Sequence, residues 1–278
     1  MKAKKTCLFL AAAASVSVNC ACSANPVAYV AAAKSERAVA DGRFHRSGDA
    51  IKDYDRMLQL NPRSVVGYLS RANVKNELHD YRGAIADDNI AISLDPKNAL
   101  AYNNRGIDRY DSGDYHGAIQ DFSHALKLGS KEGSWSYWWR GNARDKLGDY
   151  QGAIEDLTRA IKLDPDYALP YGDRARVRAD LGDKAGALSD LEKALATPQG
   201  FAYPHLQRQM ADLLSSMGKS KEAVGYYDHV DEMHDDISAV YARGFQNALG
   251  GNFVAAASDY CRAISKSFGL MIQKDHPE

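Results

Sequence analysis

The chain has little of what defines several large classes of protein. Of its 278 residues only four are cysteine and eight are proline, which excludes a disulfide-dense scaffold and a collagen-like chain. Neither sign of charge is in excess, because 35 Lys and Arg stand against 36 Asp and Glu. This balance argues against a protein that binds nucleic acid through a general basic field. With 45% apolar residues, the chain can still bury a sizeable core.

Long hydrophobic runs are also scarce, and the one that stands out lies at the N-terminus. Three lysines within the first five residues precede an apolar run over residues 7–18, shorter than the roughly 20 residues of a membrane-spanning helix. This order is typical of a signal peptide. We therefore predict that residues 1–24 are removed after Ala24 and that the protein is exported, to the periplasm or outside the cell.

Cys22 leaves a second form of export signal open. A bacterial lipoprotein signal would be cleaved after Ala21 and would carry a lipid on Cys22, which would anchor the protein to the outer membrane. Asn19 stands where such signals usually have an aliphatic residue, so plain secretion is the alternative. Cleavage after Ala24 would remove the other three cysteines and leave Cys261 alone. Its place in an apolar-periodic helix predicts a small, buried side chain.

The rest of the chain repeats a phrase of about 34 residues. Seven copies share a small residue that opens an amphipathic segment: Ala50, Ala84, Ala118, Ala153, Ala187, Ala223 and Ala256, with spacings of 33 to 36 residues. A glycine five residues before this alanine, such as Gly113 or Gly148, suits the end of one helix and a tight turn. A proline such as Pro96 then ends the second helix. Each copy therefore predicts two helices joined by a turn.

A period of 34 with these small residues resembles the tetratricopeptide repeat, a helix–turn–helix unit that buries its apolar face only against its neighbours. The resemblance implies an all-α fold, a right-handed superhelical solenoid of about seven repeats. It assigns residues 25–264 to the repeat array, with degenerate first and last copies as caps. Residues 265–278 are expected to form a C-terminal cap and a polar tail.

An arginine and an aspartate 16 residues apart occur in six of the seven copies, as at Arg140 and Asp156. In the sixth copy both members change together, to Met210 and Tyr226. The joint change predicts that these two positions touch between the helices of one repeat. The twelve charged residues are thereby assigned to structure, and none of them is a candidate for catalysis.

The sequence contains no familiar catalytic motif: no G-x-S-x-G, no H-E-x-x-H and no C-x-x-C. The segment 228–236 (DHVDEMHDD) is the one metal-like cluster. Its histidines, His229 and His234, are five residues apart, not the four that align two side chains on one helix face. We predict a protein that is not an enzyme and that needs no metal or cofactor. An enzyme or metal-binding accessory protein centred on His229 and His234 is the alternative.

The resemblance leaves the binding surface as the place of function. In tetratricopeptide-repeat proteins the first helices line a concave groove that holds a peptide or a protein segment. Carried over by position, the partner-binding candidates are Trp135, Trp138, Trp139, Asn73, Asn104, Asn142, Arg176 and Arg208. Asn73 and Asn104 match a pair of asparagines with which many family members hold a peptide backbone.

The three tryptophans give the sharpest prediction. They fall within five residues, and exposed tryptophan clusters are typical of interface hot spots. The alternative is that one or two of them pack against the preceding repeat. The predicted function is a non-enzymatic scaffold or adaptor of the cell envelope that binds a protein or peptide. Nucleic acid is not an expected partner, a membrane would be reached only through a lipid anchor, and the oligomeric state is left open.

Overall fold

The computed structural model describes residues 47–130, 133–200, 203–234 and 237–275. Within these ranges the chain forms thirteen α-helices and no strand. They are α1 (Ser47–Leu60), α2 (Val65–Glu77), α3 (Tyr81–Leu94), α4 (Ala99–Asp111), α5 (Tyr115–Lys127), α6 (Gly133–Lys146), α7 (Tyr150–Leu163), α8 (Ala168–Asp180), α9 (Lys184–Ala196), α10 (Pro204–Ser216), α11 (Ser220–His234), α12 (Ile237–Leu249) and α13 (Phe253–Asp275). The predicted signal segment 1–24, with Cys22, lies outside the described residues. The all-α prediction is confirmed.

The chain divides into two compact units, residues 1–130 and 131–278. In the described part of the first unit, α2–α3 and α4–α5 are helical hairpins, and α1 packs on α2 as the second helix of the preceding repeat. The second unit contains four hairpins, α6–α7, α8–α9, α10–α11 and α12–α13. Within each unit every helix packs on the next one along the chain. None of the described helices combines the length and the apolar character needed to cross a bilayer.

The turns inside the hairpins have the backbone that the sequence predicts. The five turn glycines have φ angles of 75–88°, in the left-handed region: Gly113, Gly148, Gly182, Gly218 and Gly251. His79 takes the same place in the second repeat at φ 61°. In four of these hairpins an aspartate then caps the next helix, as where Asp149 accepts a hydrogen bond from the Gly152 amide at 3.0 Å. Turn and cap together fix where each second helix begins.

The arginine–aspartate pairs that the structure describes all form. In four of them Nε and Nη2 of the arginine donate to both carboxylate oxygens at 2.5–2.9 Å: Arg71–Asp87, Arg105–Asp121, Arg140–Asp156 and Arg174–Asp190. Arg243 pairs with Asp259 in the last hairpin. Arg37, the predicted partner of Asp53, lies outside the described residues. The prediction that these charges join the two helices of a repeat is confirmed.

Each of these buried carboxylates has a second donor that is not among the sequence predictions. It stands four residues after the arginine, one helical turn further along, and donates to the same carboxylate at 2.7–2.9 Å: Lys75, Arg109, Arg144, Arg178 and Asn247. The aspartate is thus held by two side chains of the first helix. Buried charges are retained when they are paired and hydrogen-bonded in this way.

The same arginines also bind the preceding repeat. Their remaining Nη1 donates to a polar side chain five residues after the repeat's small alanine: Arg71 to Asp55, Arg105 to Asn89, Arg174 to Thr158 and Arg243 to Asp228, at 2.5–2.8 Å. One guanidinium therefore fastens both the hairpin and its contact with its neighbour.

Cys261 corrects one expectation. It was predicted to be buried, yet its side chain is exposed. Cys261 stands five residues after Ala256, the place where the earlier repeats present Asp55 or Thr158 to the arginine of the next repeat. No further hairpin follows α13 within the described residues, so this position faces outward.

Asp156→Ala tests the shared carboxylate. The change removes the acceptor that Arg140 and Arg144 both use, and we expect it to lower the free energy of unfolding by about 1 to 3 kcal/mol. Urea unfolding followed by circular dichroism measures the effect. Glu155→Ala, at the exposed neighbouring position of α7, is the matched control and should change stability by less than about 0.5 kcal/mol. Equal losses in the two variants would contradict the assignment.

A pair of buried carboxyl groups interrupts the core of the first unit. Asp88 on α3 is fully buried, and Asp108 on α4 is 4% exposed. The other repeats carry large apolar residues at the place of Asp88: Tyr54, Phe122, Leu157, Leu191, Tyr227 and Tyr260. Neither carboxylate oxygen of Asp88 has a hydrogen-bond partner among the described residues, whereas Asp108 accepts from Asn76 at 2.8 Å.

Burial gives both groups unusual acidities. Burial and the neighbouring Asp108 carboxyl raise the pKa of Asp88 to about 9. Burial also raises the pKa of Asp108 to about 6. Because both values exceed the ordinary pKa of an unfolded aspartate, the folded state holds protons that the unfolded state releases. The contribution of these two groups to the free energy of unfolding is therefore fully present below about pH 4. It is lost as the pH rises through about 6 and about 9.

Asp88→Asn should remove much of this pH dependence. The amide keeps the shape of the side chain but cannot ionise, so we expect the variant to exceed the wild type in unfolding free energy by about 1 to 3 kcal/mol at pH 9, with a smaller difference at pH 5. Urea unfolding at both pH values measures this. Asp49→Asn on α1, whose side chain is 73% exposed, should leave the pH profile of the wild type unchanged. A parallel profile for Asp88→Asn would contradict the argument.

Candidate functional site

The first helices of the second unit form the surface on which most candidate residues lie. α8 contacts both α6 and α10, so the three helices stand side by side. The first of them, α6, carries the three tryptophans and Asn142. Arg176 lies on α8 and Arg208 on α10. The structure thus brings six of the eight candidates into one unit.

The tryptophans form a continuous aromatic cluster, which is partly buried. The rings of Trp135 and Trp139 meet edge to face with centroids 5.9 Å apart, and those of Trp138 and Trp139 are 4.9 Å apart. All three side chains are intermediate in exposure, so each contributes to packing and to the surface. Trp139 contacts both other rings and is the centre of the cluster. Such aromatic pairs are stabilising beyond the apolar area that they bury.

Trp138 is also fixed from the next repeat. Its Nε1 donates to Asp173 Oδ2 at 2.6 Å, and its ring lies 5.5 Å from that of Tyr167. Asn142 donates to the same Asp173 oxygen at 3.1 Å. Burial raises the pKa of Tyr167, and the neighbouring Asp173 adds to the shift. Trp138 therefore packs against the following repeat. The alternative prediction, that some of the tryptophans are buried, placed them against the preceding repeat.

The two candidate arginines hold the helices together at the same surface. Arg176 donates to Asp145 Oδ2 on α6 at 2.8 Å, across the α6–α8 contact. Arg208 donates to Ser238 Oγ at 2.7 Å and lies 5.8 Å over the ring of Tyr227. Their roles in partner binding stay predictions. The side chain of Arg176 is 37% exposed and that of Arg208 is 31% exposed, so both still reach the solvent.

A cleft of about 440 Å³ opens between α8 and α10. Its apolar lining comes from Ala175, Ala179, Leu191 and Leu213, and its polar rim from Arg176, Asp180, Lys184, Gln209, Asp212 and Ser216. The cleft was not predicted from the sequence, because it exists only where two first helices meet. Its volume is within the range of small ligand pockets. The cleft is large enough to admit a side chain of a partner.

The asparagine pair lies in the other unit. Asn104 on α4 is buried and donates to Asn73 on α2 at 3.3 Å. Asn73 is exposed. The predicted juxtaposition of the two amides is therefore present within the first unit, and the exposed Asn73 is the member that a ligand could reach.

The metal-like segment gains no support in the described part of the chain. His229 is exposed on α11, while the side chain of His234 lies outside the described residues. No group of three or more His, Cys, Asp or Glu side chains converges among the side chains that the structure describes. Among the described side chains, no observation favours a metal site at these two histidines.

Sequence and structure comparisons agree on the kind of fold. Residues 139–167 match the model of the tetratricopeptide repeat. No curated protein sequence matches the chain significantly. The matched segment spans most of α6 and the whole of α7, together with the turn that joins them.

Solved structures of tetratricopeptide-repeat proteins are similar over most of the chain. PilW, described as a widely conserved type IV pilus biogenesis factor, is 18% identical with a TM-score of 0.66, over 75% of this chain and 94% of PilW. PilF of Pseudomonas aeruginosa is 18% identical with a TM-score of 0.62, over 77% and 92%. YrrB, described as a TPR protein with an unusual peptide-binding site, is 19% identical with a TM-score of 0.50, over 67% and 94%. At these identities the similarity establishes the fold.

Asp173→Ala should disturb the aromatic cluster in a way that fluorescence can report. All three tryptophans of the protein are in this cluster, so tryptophan emission, excited selectively over the 16 tyrosines, comes from this site alone. Loss of the acceptor for Trp138 and Asn142 should open the cluster to water and shift the emission to longer wavelength. Asp180→Ala, on the rim of the cleft and about two helical turns further along α8, should leave the spectrum unchanged. Identical spectra for Asp173→Ala and the wild type would contradict the role given to Asp173.

Proposed function

We propose that this chain, a tetratricopeptide-repeat protein, is a non-enzymatic scaffold that binds a peptide or protein segment on the α6–α8–α10 surface of its second unit. The observation that carries the proposal is that two features lie side by side. The tryptophan cluster is on α6, which contacts α8, and the cleft lies between α8 and α10. An aromatic anchor site beside a partly apolar cleft suits a chain segment rather than a reaction centre.

The chemistry of the surface supports a segment with both apolar and polar side chains. Trp135 and Trp139 offer aromatic faces against which an apolar or cationic side chain packs. The cleft offers an apolar floor at Ala179 and Leu213 and carboxylates at Asp180 and Asp212. A segment that spans α6 to α10 would satisfy both places at once.

The similar proteins support the same class of function. YrrB carries a peptide-binding site by its description, and PilW is described as a pilus biogenesis factor. We infer from PilW and from the predicted signal segment 1–24 that this chain acts in the cell envelope, as an exported protein or as a lipoprotein anchored at Cys22. Intact mass of the mature protein distinguishes these two forms.

Trp135→Ala is the sharpest test of the binding surface. Trp139 is also a candidate anchor, but it contacts both other rings, so its truncation would also disturb packing. Trp135 contacts Trp139 at the edge of the cluster. Truncating a hot-spot residue costs about 2 kcal/mol or more, so we expect affinity for the partner to fall about thirtyfold while the melting temperature stays nearly unchanged.

The partner is first captured on the immobilised chain and identified by mass spectrometry, and its affinity for each variant is then measured by calorimetry. Tyr150→Ala, an exposed aromatic on the second helix of the same hairpin, is the matched control and should bind as the wild type does. Wild-type affinity in Trp135→Ala, or an equal loss in Tyr150→Ala, would show that the partner binds elsewhere.

A further inference from the structure

The last hairpin of the second unit leaves an apolar face open to solvent. On α12, Tyr241, Phe245 and Leu249 recur every four residues and are 61%, 51% and 63% exposed. At the start of α13, Phe253 and Val254 are 71% and 84% exposed. We call these five residues the terminal patch. None of them is charged.

The register of the repeats explains why this face is open. Phe245, Leu249 and Phe253 each have an equivalent repeat position 69 residues earlier, in the α8–α9 hairpin. Those places are held by Arg176, Asp180 and Lys184. There the three residues line one side of the cleft whose other side is the next first helix, α10. The terminal patch is therefore half of such a cleft, and no following first helix is present in the described residues.

Within the described residues, the course of α13 leaves the patch exposed. Residues 265–278 are expected to form a cap, and this stays a prediction, since the side chains from residue 266 onward lie outside the description. α13 runs without a break from Phe253 to Asp275, so its backbone continues along one helix axis for about 35 Å. Phe253 and Val254 at its start remain the most exposed residues of the patch.

The area of the patch approaches that of a subunit interface. With about 200 Å² for a whole aromatic side chain, its five residues expose roughly 600 Å². That is at the upper end of about 300–600 Å² for the largest apolar patch of a monomer, and it approaches the about 800 Å² per partner of a standard interface. Because the patch is uncharged, two copies of it meet without electrostatic repulsion.

We propose that the terminal patch is the interface of a homodimer, in which α12 of one copy packs against α12 of a second copy. An interface between two identical copies needs a patch that complements itself, and rows of residues four apart interdigitate with each other when two helices cross. Each copy then supplies the helix that the other copy's last hairpin lacks. This dimer is independent of the partner site on α6, α8 and α10.

Sedimentation equilibrium of the purified full chain tests the proposal. From about 1 to 100 μM we expect the mean mass to rise from 30.4 kDa towards twice that value. Phe245→Asp places a charge at the centre of the patch and should weaken dimerisation about thirtyfold or more, with unchanged circular dichroism. Leu163→Asp, at a 58% exposed leucine at the end of α7, is the matched control and should dimerise as the wild type does.

A disulfide test locates the interface even if Phe245→Asp fails to fold. In a chain whose four native cysteines are changed to serine, Phe245→Cys should form a disulfide-linked dimer under mild oxidation, whereas Leu163→Cys should not. A monomer at every concentration would overturn the proposal and would leave the patch to a different partner or to residues 266–278. A dimer that Phe245→Asp does not weaken, and that Phe245→Cys does not link by a disulfide, would have its interface elsewhere. That result would also overturn the proposal.

Discussion

The rest of the structure depends on a buried carboxylate that is shared by two side chains of a neighbouring helix. In the fourth repeat Asp156 accepts from both Arg140 and Arg144, one helical turn apart. An isolated buried charge would oppose folding, so the aspartate is tolerated only because both donors are placed by the same helix. In other repeats the arginine also reaches back to the preceding repeat, as Arg174 does to Thr158. One polar cluster thereby sets the hairpin and its stacking.

Against this regular framework, departures from the repeat pattern become informative. Asp88 replaces a large apolar residue inside the first unit and pairs with Asp108, which couples the core of that unit to pH. The terminal patch replaces polar residues with Phe245, Leu249 and Phe253 where the stack of the second unit ends. In both places the framework is intact, since Arg105–Asp121 and Arg243–Asp259 still form. The repeat framework therefore tolerates both departures without losing its arginine–aspartate pairs.

The candidate partner surface shows how the same repeat can supply both structure and binding. Trp138 and Asn142 are committed to Asp173, and Arg176 to Asp145, so these side chains fix the position of α8 relative to α6. What remains for a ligand is the partly exposed edge of the tryptophan cluster and the cleft beside α10. A rigid surface of this kind lowers the entropic cost of binding, because the anchors are already ordered before the partner arrives.

The sequence by itself determined the helices, the turns and the arginine–aspartate pairs, because each depends on a local period or on a fixed spacing of 16 residues that recurs in six of the seven copies. It could also place the tryptophans and Asn142 on the first helix of one repeat. Only the tertiary structure decided which of these side chains are taken up by neighbours, where a cleft opens, and that Cys261 faces solvent. Those properties depend on which helix lies beside a residue, and within the described residues the last hairpin has no following helix where the earlier hairpins have one.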